Sequence, residues 1–250
     1  LNSRLKECVM TSHYLRRDQL YYTYEYKRGQ SNVVDLLFVQ DGMDYIEIGH
    51  IQQALEAVLE TTESIHLFMV LVPPPSSEER YHLYHPQGER LESYIRFFQD
   101  ELLMTVRHRF ENEDKEIRKV GLLGDSLGAA VSVSIATEFP ESWSHLLFQS
   151  GAFTDSHVFK IQNLQKVDWQ VYQVVGLQEE AVTYPLTGEN LPILSYNRSL
   201  HKQLQSITDT ITYYEEDEQH LWDFWRRDLP RAIRYFVETN IKEERDERNV

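Results

Sequence analysis

Ser126 stands between two glycines in Gly121-Leu-Leu-Gly-Asp-Ser-Leu-Gly-Ala-Ala130, and the pattern Gly-x-Ser-x-Gly has a specific use. It builds a sharp strand-to-helix turn with an unfavourable backbone conformation, and flanking glycines, here Gly124 and Gly128, relieve the crowding. The turn lifts the serine hydroxyl clear of the sheet. It also leaves the Leu127 N–H at a helix N-terminus, where it can stabilise a negative oxygen. A serine so placed can act as the nucleophile of acyl transfer. Context separates it from an ordinary loop serine. Residues 117–123 read as a buried strand, and residues 127–138, rich in Ala and Val, as the helix that follows at once.

Such a serine needs a base, and the base needs an orienting acid. In an α/β-hydrolase these follow in the order Ser, acid, His. After Ser126 the chain offers His145, His157, His201 and His220. His145 opens a strand and is expected to point away from the loops. His201 falls inside a helix over 198–204. His157 opens a helix over 156–165, too early for the order. His220 follows a strand over 211–215, sits in an acidic loop and precedes the closing helix over 221–239, so it is the candidate base. The acid belongs in Gly176-Leu-Gln-Glu-Glu180, where spacing alone does not choose between Glu179 and Glu180. The loop Gln40-Asp-Gly-Met-Asp44 leaves the strand beside the elbow and is expected to supply a second N–H to the oxyanion. Asp41 and Asp44 read as turn-forming and capping residues rather than metal ligands, because no second His or Asp cluster accompanies them. No metal or other cofactor is expected.

The letters Gly-Asp-Ser-Leu also mark an unrelated lipase family, and Asp217-Glu-Gln-His220 has the Asp-x-x-His spacing used there. In that family the serine follows the first strand. Here half the chain precedes it, including two buried strands and two helices that such a fold has no place for. No Gly-x-Asn-Asp block follows either, and the elbow reading stands.

The elements that must position these residues alternate between strand and helix. Buried strands are expected over 33–40, 65–72, 117–123, 145–150 and 169–176, and a tyrosine-rich edge strand over 20–26. Helices are expected over 51–59 and 91–106, where Leu91, Tyr94, Ile95, Phe98, Leu102 and Val106 fall mostly three or four apart. Between them a long loop over 73–90 carries Arg80 and Arg90, read as solvated, with an anion-holding role as the alternative. The alternation argues an α/β fold with a mostly parallel central sheet flanked by helices on both faces. Ligands then bind beyond the carboxyl ends of the strands, at the loops starting at Asp41, Gly124, Gly176 and Glu216. Residues 1–250 read as a single domain, with 1–11 and 242–250 as peripheral tails.

Composition sets outer limits. With 40 acidic against 25 basic residues the formal charge is -15, a field that repels phosphate backbones and anionic lipid. Neither a nucleic acid nor a membrane is an expected partner, and the longest apolar runs are too short to span a bilayer. No charged segment followed by an apolar one opens the chain, so no secretory signal is expected. The single cysteine, Cys8, excludes an internal disulfide and fits a reducing compartment such as the cytoplasm. A monomer and a homo-oligomer are both compatible with the residues.

The chain resembles the Putative esterase family of α/β-hydrolases, the group containing enterochelin esterases, esterase D, feruloyl esterases and the antigen 85 mycolyltransferases. The resemblance runs from about Ser12 to Glu238. It rests on "LLFVQDGMDY", "YHPQGERLESYIRFFQDEL", "GLLGDSLGAAVSVSIATEFPESW", "VYQVVGLQEEAV" and "EQHLWDFWRRDLPRAIRYF". It implies Ser126 as nucleophile, His220 as base and an acid three residues beyond the strand-ending glycine, which lands on Glu179. Members often have aspartate there, which keeps Glu180 in play. It also implies the Met43 N–H as the oxyanion donor beside Leu127. One departure is Glu218-Gln-His where relatives often carry Gly-Gly-His. Trp222 and Trp225 are expected to pack behind the histidine loop. The implied activity is serine carboxylic-ester hydrolysis of a small acyl ester or a siderophore-type ester. Acyl transfer by the same residues, or a binding protein that has lost the chemistry, are the alternatives.

Overall fold

Val33–Gln40 (β3) and Ile65–Val72 (β4) are nearly continuous apolar runs, and such strands need cover on both faces. They lie side by side and parallel near the middle of an eight-stranded sheet. The computed structural model describes residues 5–60, 62, 64–183, 188 and 190–239. Around the central pair stand Leu5–Ser12 (β1), Arg17–Arg28 (β2), Glu116–Asp125 (β5), His145–Gln149 (β6), Gln170–Gly176 (β7) and Thr210–Glu216 (β10). The spatial order is β1-β2-β4-β3-β5-β6-β7-β10. From β4 to β10 every pairing is parallel, whereas β1 and β2 run antiparallel at one margin. Val182–Thr183 (β8) and Asn190–Leu191 (β9) make a separate small ribbon.

Successive side chains of a strand point to opposite faces, and the core divides accordingly. Leu36, Phe38, Phe68, Val70, Leu122 and Leu146 belong to one cluster, and Leu37, Val39, Met69, Leu71, Leu123 and Leu147 to the other. The first is covered by Ser77–Tyr84 (α3), Leu91–Arg96 (α4), Met104–Asn112 (α5), Ser126–Glu138 (α6), Asp155–Gln162 (α7) and Ile193–Ile207 (α8). The second is covered by Gly42–Glu47 (α1), Ile51–Leu59 (α2) and Trp222–Glu238 (α9). The structure is therefore the α/β arrangement expected from the alternation. Among the described residues no helix is long and apolar enough to cross a membrane.

Three expectations change. The tail expected over 1–11 becomes, from Leu5, the edge strand β1, paired along β2. Its residues alternate in exposure without a continuous apolar run, so the sequence carries little signal for it. β2 is consequently the second strand and not the edge. The loop expected over 73–90 contains α3, started by Ser76, whose Oγ accepts the Glu79 N–H at 3.2 Å. The single helix expected over 91–106 instead runs to Asn112 through a π-helical stretch at Phe97–Leu103. The expected tail over 242–250 lies outside the described residues.

α9 carries side chains that support the site, and its far end is tied down. Lys119 Nζ donates to the carbonyls of Phe236 and Val237 at 3.0 and 2.9 Å, satisfying acceptors left open at a helix C-terminus. His145 Nε2 lies 3.1 Å from Thr239 Oγ1. Nearer the site, buried Asp228 accepts from Tyr172 Oη at 2.5 Å and Gln149 Nε2 at 2.7 Å. Burial, with Lys119 nearby, pushes the His145 pKa down to about 3 from an ordinary 6.5. The native residue is thus neutral where the unfolded one takes up a proton. Its contribution to stability is present in full above about pH 6.5 and is lost as pH falls toward 3. The stability advantage of wild type over His145→Gln should therefore shrink between pH 7 and 5, by at most about 1.4 kcal/mol per pH unit in urea unfolding. A pH-independent difference would contradict this.

Candidate active site

The site lies at the carboxyl ends of β3, β5, β6, β7 and β10, where a parallel sheet exposes its loops. Asp41, Ser126 and Ser150 each follow one of these strands and each adopts a left-handed backbone, with φ of 52°, 48° and 47°. For residues with a side chain this conformation costs roughly 1–2 kcal/mol. It is held here by the packing around it. A Cβ on Gly124 would stand 2.3 Å from the Gly128 carbonyl carbon, so the strand and helix of the elbow cross in contact through these two glycines. The Ser126 carbonyl in turn accepts the Ala152 N–H at 2.9 Å, which ties the elbow to the loop after β6.

Ser126 Oγ is 2.9 Å from His220 Nε2, and His220 Nδ1 is 2.7 Å from Glu179 Oε2. An ionised carboxylate only accepts, so this network puts a proton on Nδ1 and leaves Nε2 to accept the serine hydroxyl. Glu179 is fully buried. Its other oxygen accepts from Ser150 Oγ at 2.7 Å and from the Gly176 N–H at 2.9 Å. Ser150 Oγ accepts in turn from Trp225 Nε1 at 2.9 Å. The Trp225 ring also meets His220 edge-on, with centroids 4.9 Å apart. A Cβ on Gly176 would lie 2.3 Å from the Glu218 carbonyl oxygen, so the acid loop and the histidine loop touch at a glycine.

Glu180, left open by spacing, turns elsewhere: its carboxylate accepts from Ser195 Oγ at 2.6 Å and Ser195 N–H at 3.2 Å. The other late histidines are likewise engaged away from Ser126. His145 lies at the opposite end of its strand. His157 closes a capping box at the start of α7, its Nδ1 accepting the Thr154 N–H at 3.1 Å. His201 stacks on Tyr213 at 4.2 Å. Met43 and Leu127 are the second residues of α1 and α6, positions whose N–H groups have no carbonyl partner within their own helix.

Two charged residues differ from expectation. Asp41 precedes α1 but makes no side-chain cap, and Arg80 is not a solvated arginine. Arg80 Nε and Nη2 donate to the two oxygens of Asp41, each at 2.7 Å, and Nη2 stands 4.0 Å from Asp125 Oδ2. The Arg80 side chain is 20% exposed and Asp41's not at all. Burial works most strongly against the guanidinium, but the Asp41 charge and hydrogen bonds, added to smaller contributions from other neighbours, together raise the Arg80 pKa. Burial and the Asp41 charge push the Asp125 carboxyl well above the ordinary range. Arg90 pairs with Glu79, which also accepts from Arg17 at 2.8 Å. Asp44 lies in the first turn of α1. Among the described residues no group of three or more His, Cys, Asp or Glu could hold a metal.

Ser150, Trp225's indole hydrogen bond and Arg80 are contributors that sequence reasoning missed. Ser150-Gly151 after an apolar strand was a usable signal for a tight turn. Arg80 gave none, since its partner Asp41 is 39 residues away.

The family model for Putative esterase matches residues 12–236. A curated relative, the uncharacterized protein YjcH of Bacillus subtilis, is 28% identical over 205 residues, covering 80% of this chain and 82% of its own. Among solved structures, the enterochelin esterase of Shigella flexneri superposes with a TM-score of 0.75 at 18% identity over 95% of this chain. This chain spans 59% of that protein's length. The siderophore hydrolase EstB of Aspergillus nidulans gives a TM-score of 0.69 at 13% identity, covering 94% of this chain and 95% of its own. These likenesses carry the fold: it is that of α/β-hydrolase esterases. With a family model spanning nearly the whole chain, the protein belongs to the Putative esterase family.

Proposed function

We propose that the protein is a serine carboxylic-ester hydrolase working through an acyl-enzyme. The observation that carries this reading is the unbroken run Ser126–His220–Glu179 at 2.9 and 2.7 Å. His220 Nε2 takes the Ser126 proton as Oγ attacks the ester carbonyl carbon. The buried Glu179 holds the Nδ1 tautomer and stabilises the imidazolium. The tetrahedral oxyanion is met by the Met43 and Leu127 N–H groups, aligned by two helix N-termini. On collapse the C–O bond breaks, and the alcohol leaves with the proton from Nε2. Water, deprotonated by the same nitrogen, then attacks the acyl carbon and regenerates Ser126 Oγ–H with release of the acid. No cofactor enters these steps.

The substrate we favour is a small uncharged acyl ester over an anionic siderophore ester. The two arginines of the segment over 73–90, Arg80 and Arg90, are already paired with Asp41 and Glu79. The chain's charge of -15 also repels anions. The single Cys8 supports action in a reducing compartment such as the cytoplasm.

Ser126→Ala should stay folded and lose turnover of p-nitrophenyl acetate by about 10³-fold or more. Glu179→Gln should cost about 10²–10⁴-fold in kcat, because the imidazolium loses its counter-charge. Glu180→Gln, at a residue bonded to Ser195, should stay within about twofold of wild type; equal losses at 179 and 180 would contradict the assignment. In a panel of esters, kcat/KM for p-nitrophenyl butyrate should exceed that for a ferric catecholate trilactone by about tenfold or more, consistent with charge exclusion. The reverse order would assign the protein to siderophores.

A further inference from the structure

Arg80 has no step in the proposed chemistry, yet it occupies the junction between the two arms of the site. One arm is the loop after β3, with Asp41 and Met43. The other is the elbow, with Asp125, Ser126 and Gly128. The Asp41 carboxylate lies between them. On one side Arg80 grips both its oxygens at 2.7 Å. On the other a Cβ on Gly128 would stand 2.6 Å from Asp41 Oδ2, so only a glycine lets the carboxylate rest on the elbow helix. Asp125, immediately before Ser126, stands 4.0 Å from the same guanidinium, and its buried Oδ1 has no hydrogen-bond partner among the described residues. The Arg80 guanidinium thus grips the buried Asp41 carboxylate on one arm and stands beside the buried Asp125 carboxyl group on the other. A bidentate arginine fixes angle as well as distance, which a lysine does not. Tyr84, on the same helix, adds a longer contact, its hydroxyl oxygen accepting the Asp41 N–H at 3.5 Å.

From this arrangement we infer that Arg80 is a positioning residue: it clamps the Asp41–Met43 loop onto the nucleophile elbow and so sets the spacing between the two oxyanion donors. The inference rests on the proposed ester-hydrolase reading for its catalytic consequence, though not for the clamp itself. Because Arg80 is carried by α3, the clamp also makes oxyanion geometry depend on how that helix is seated. Losing the fork frees one arm to drift. A donor displaced from the developing oxyanion weakens transition-state binding and leaves ground-state binding nearly unchanged.

Two measurements on Arg80→Met and Arg80→Lys test this. Amide hydrogen exchange of the segment Phe38–Ile46 reads the clamp without any catalysis, and should accelerate about tenfold in Arg80→Met relative to the other core strands. For p-nitrophenyl butyrate, kcat should fall about 10²-fold with KM within about threefold. Affinity for an aryl trifluoromethyl ketone, whose adduct with serine mimics the tetrahedral species, should fall in step with kcat/KM. Arg80→Lys should lie between, since it keeps the charge and loses the fork. Should Arg80→Met fail to fold, Gly128→Ala presses on the same carboxylate with Arg80 intact, and should give the same local exchange and kcat loss. Unchanged exchange at Phe38–Ile46, a rise in KM alone, or exchange that quickens uniformly over the sheet would each overturn the clamp. Absence of esterase turnover in wild type would instead overturn the functional reading, and the exchange result would still decide the clamp.

Discussion

Both oxygens of the Glu179 carboxylate are committed, and the rest of the site is arranged around that fact. Oε2 faces His220 Nδ1, while Oε1 takes hydrogen bonds from Ser150 and from the Gly176 backbone. A carboxylate buried without such donors would be costly to keep charged. With them it has a fixed orientation and can fix the imidazole in turn. Each donor comes from a different strand end: Gly176 closes β7, Ser150 follows β6, and His220 lies beyond β10. The parallel sheet brings these ends to one rim. Gly176 then lets the acid loop and histidine loop approach within the space a methyl group would need. Trp225 closes the arrangement from behind, donating to Ser150 and lying edge-on against His220. α9, which carries Trp225, is fastened at its far end by Lys119.

Left-handed residues at the ends of β3, β5 and β6 mark where this geometry opposes local backbone preference. Strained backbone persists where surrounding packing over-determines it, and it concentrates at functional sites. Here the packing is visible. Gly124 and Gly128 cross at the elbow, Asp41 rests on Gly128 under Arg80, and Ser150 is buried between Glu179 and Trp225. The same three turns carry the proposed nucleophile, the proposed oxyanion loop and the support of the proposed acid. Local strain and the proposed chemistry thus coincide residue by residue.

Legibility in the sequence followed the range of each constraint. Ser126 was legible because the elbow's crowding is relieved by glycines two residues away, a short-range signal. The buried strands were legible as apolar runs, and the sheet's loops as their ends. His220 followed from chain order. Glu179 and Glu180 could not be separated on spacing, because adjacent residues differ there only in direction. One turns inward to His220 and the other outward to Ser195. Arg80 was misread for a different reason: its partners come from the ends of β3 and β5, and no periodicity around residue 80 records them. Edge strand β1 was missed because its half-exposed alternation lacks the apolar run that announced the central strands.

Covalent acylation of Ser126 is the step on which the proposed chemistry turns. The direct measurement is acid-quenched mass spectrometry during turnover of a slowly deacylating ester, followed by peptide mapping. An acyl mass is expected on the peptide containing Ser126, accumulating at the rate of the first kinetic phase. Steady ester hydrolysis with no adduct on that peptide, or with the acyl group on another residue, would contradict it.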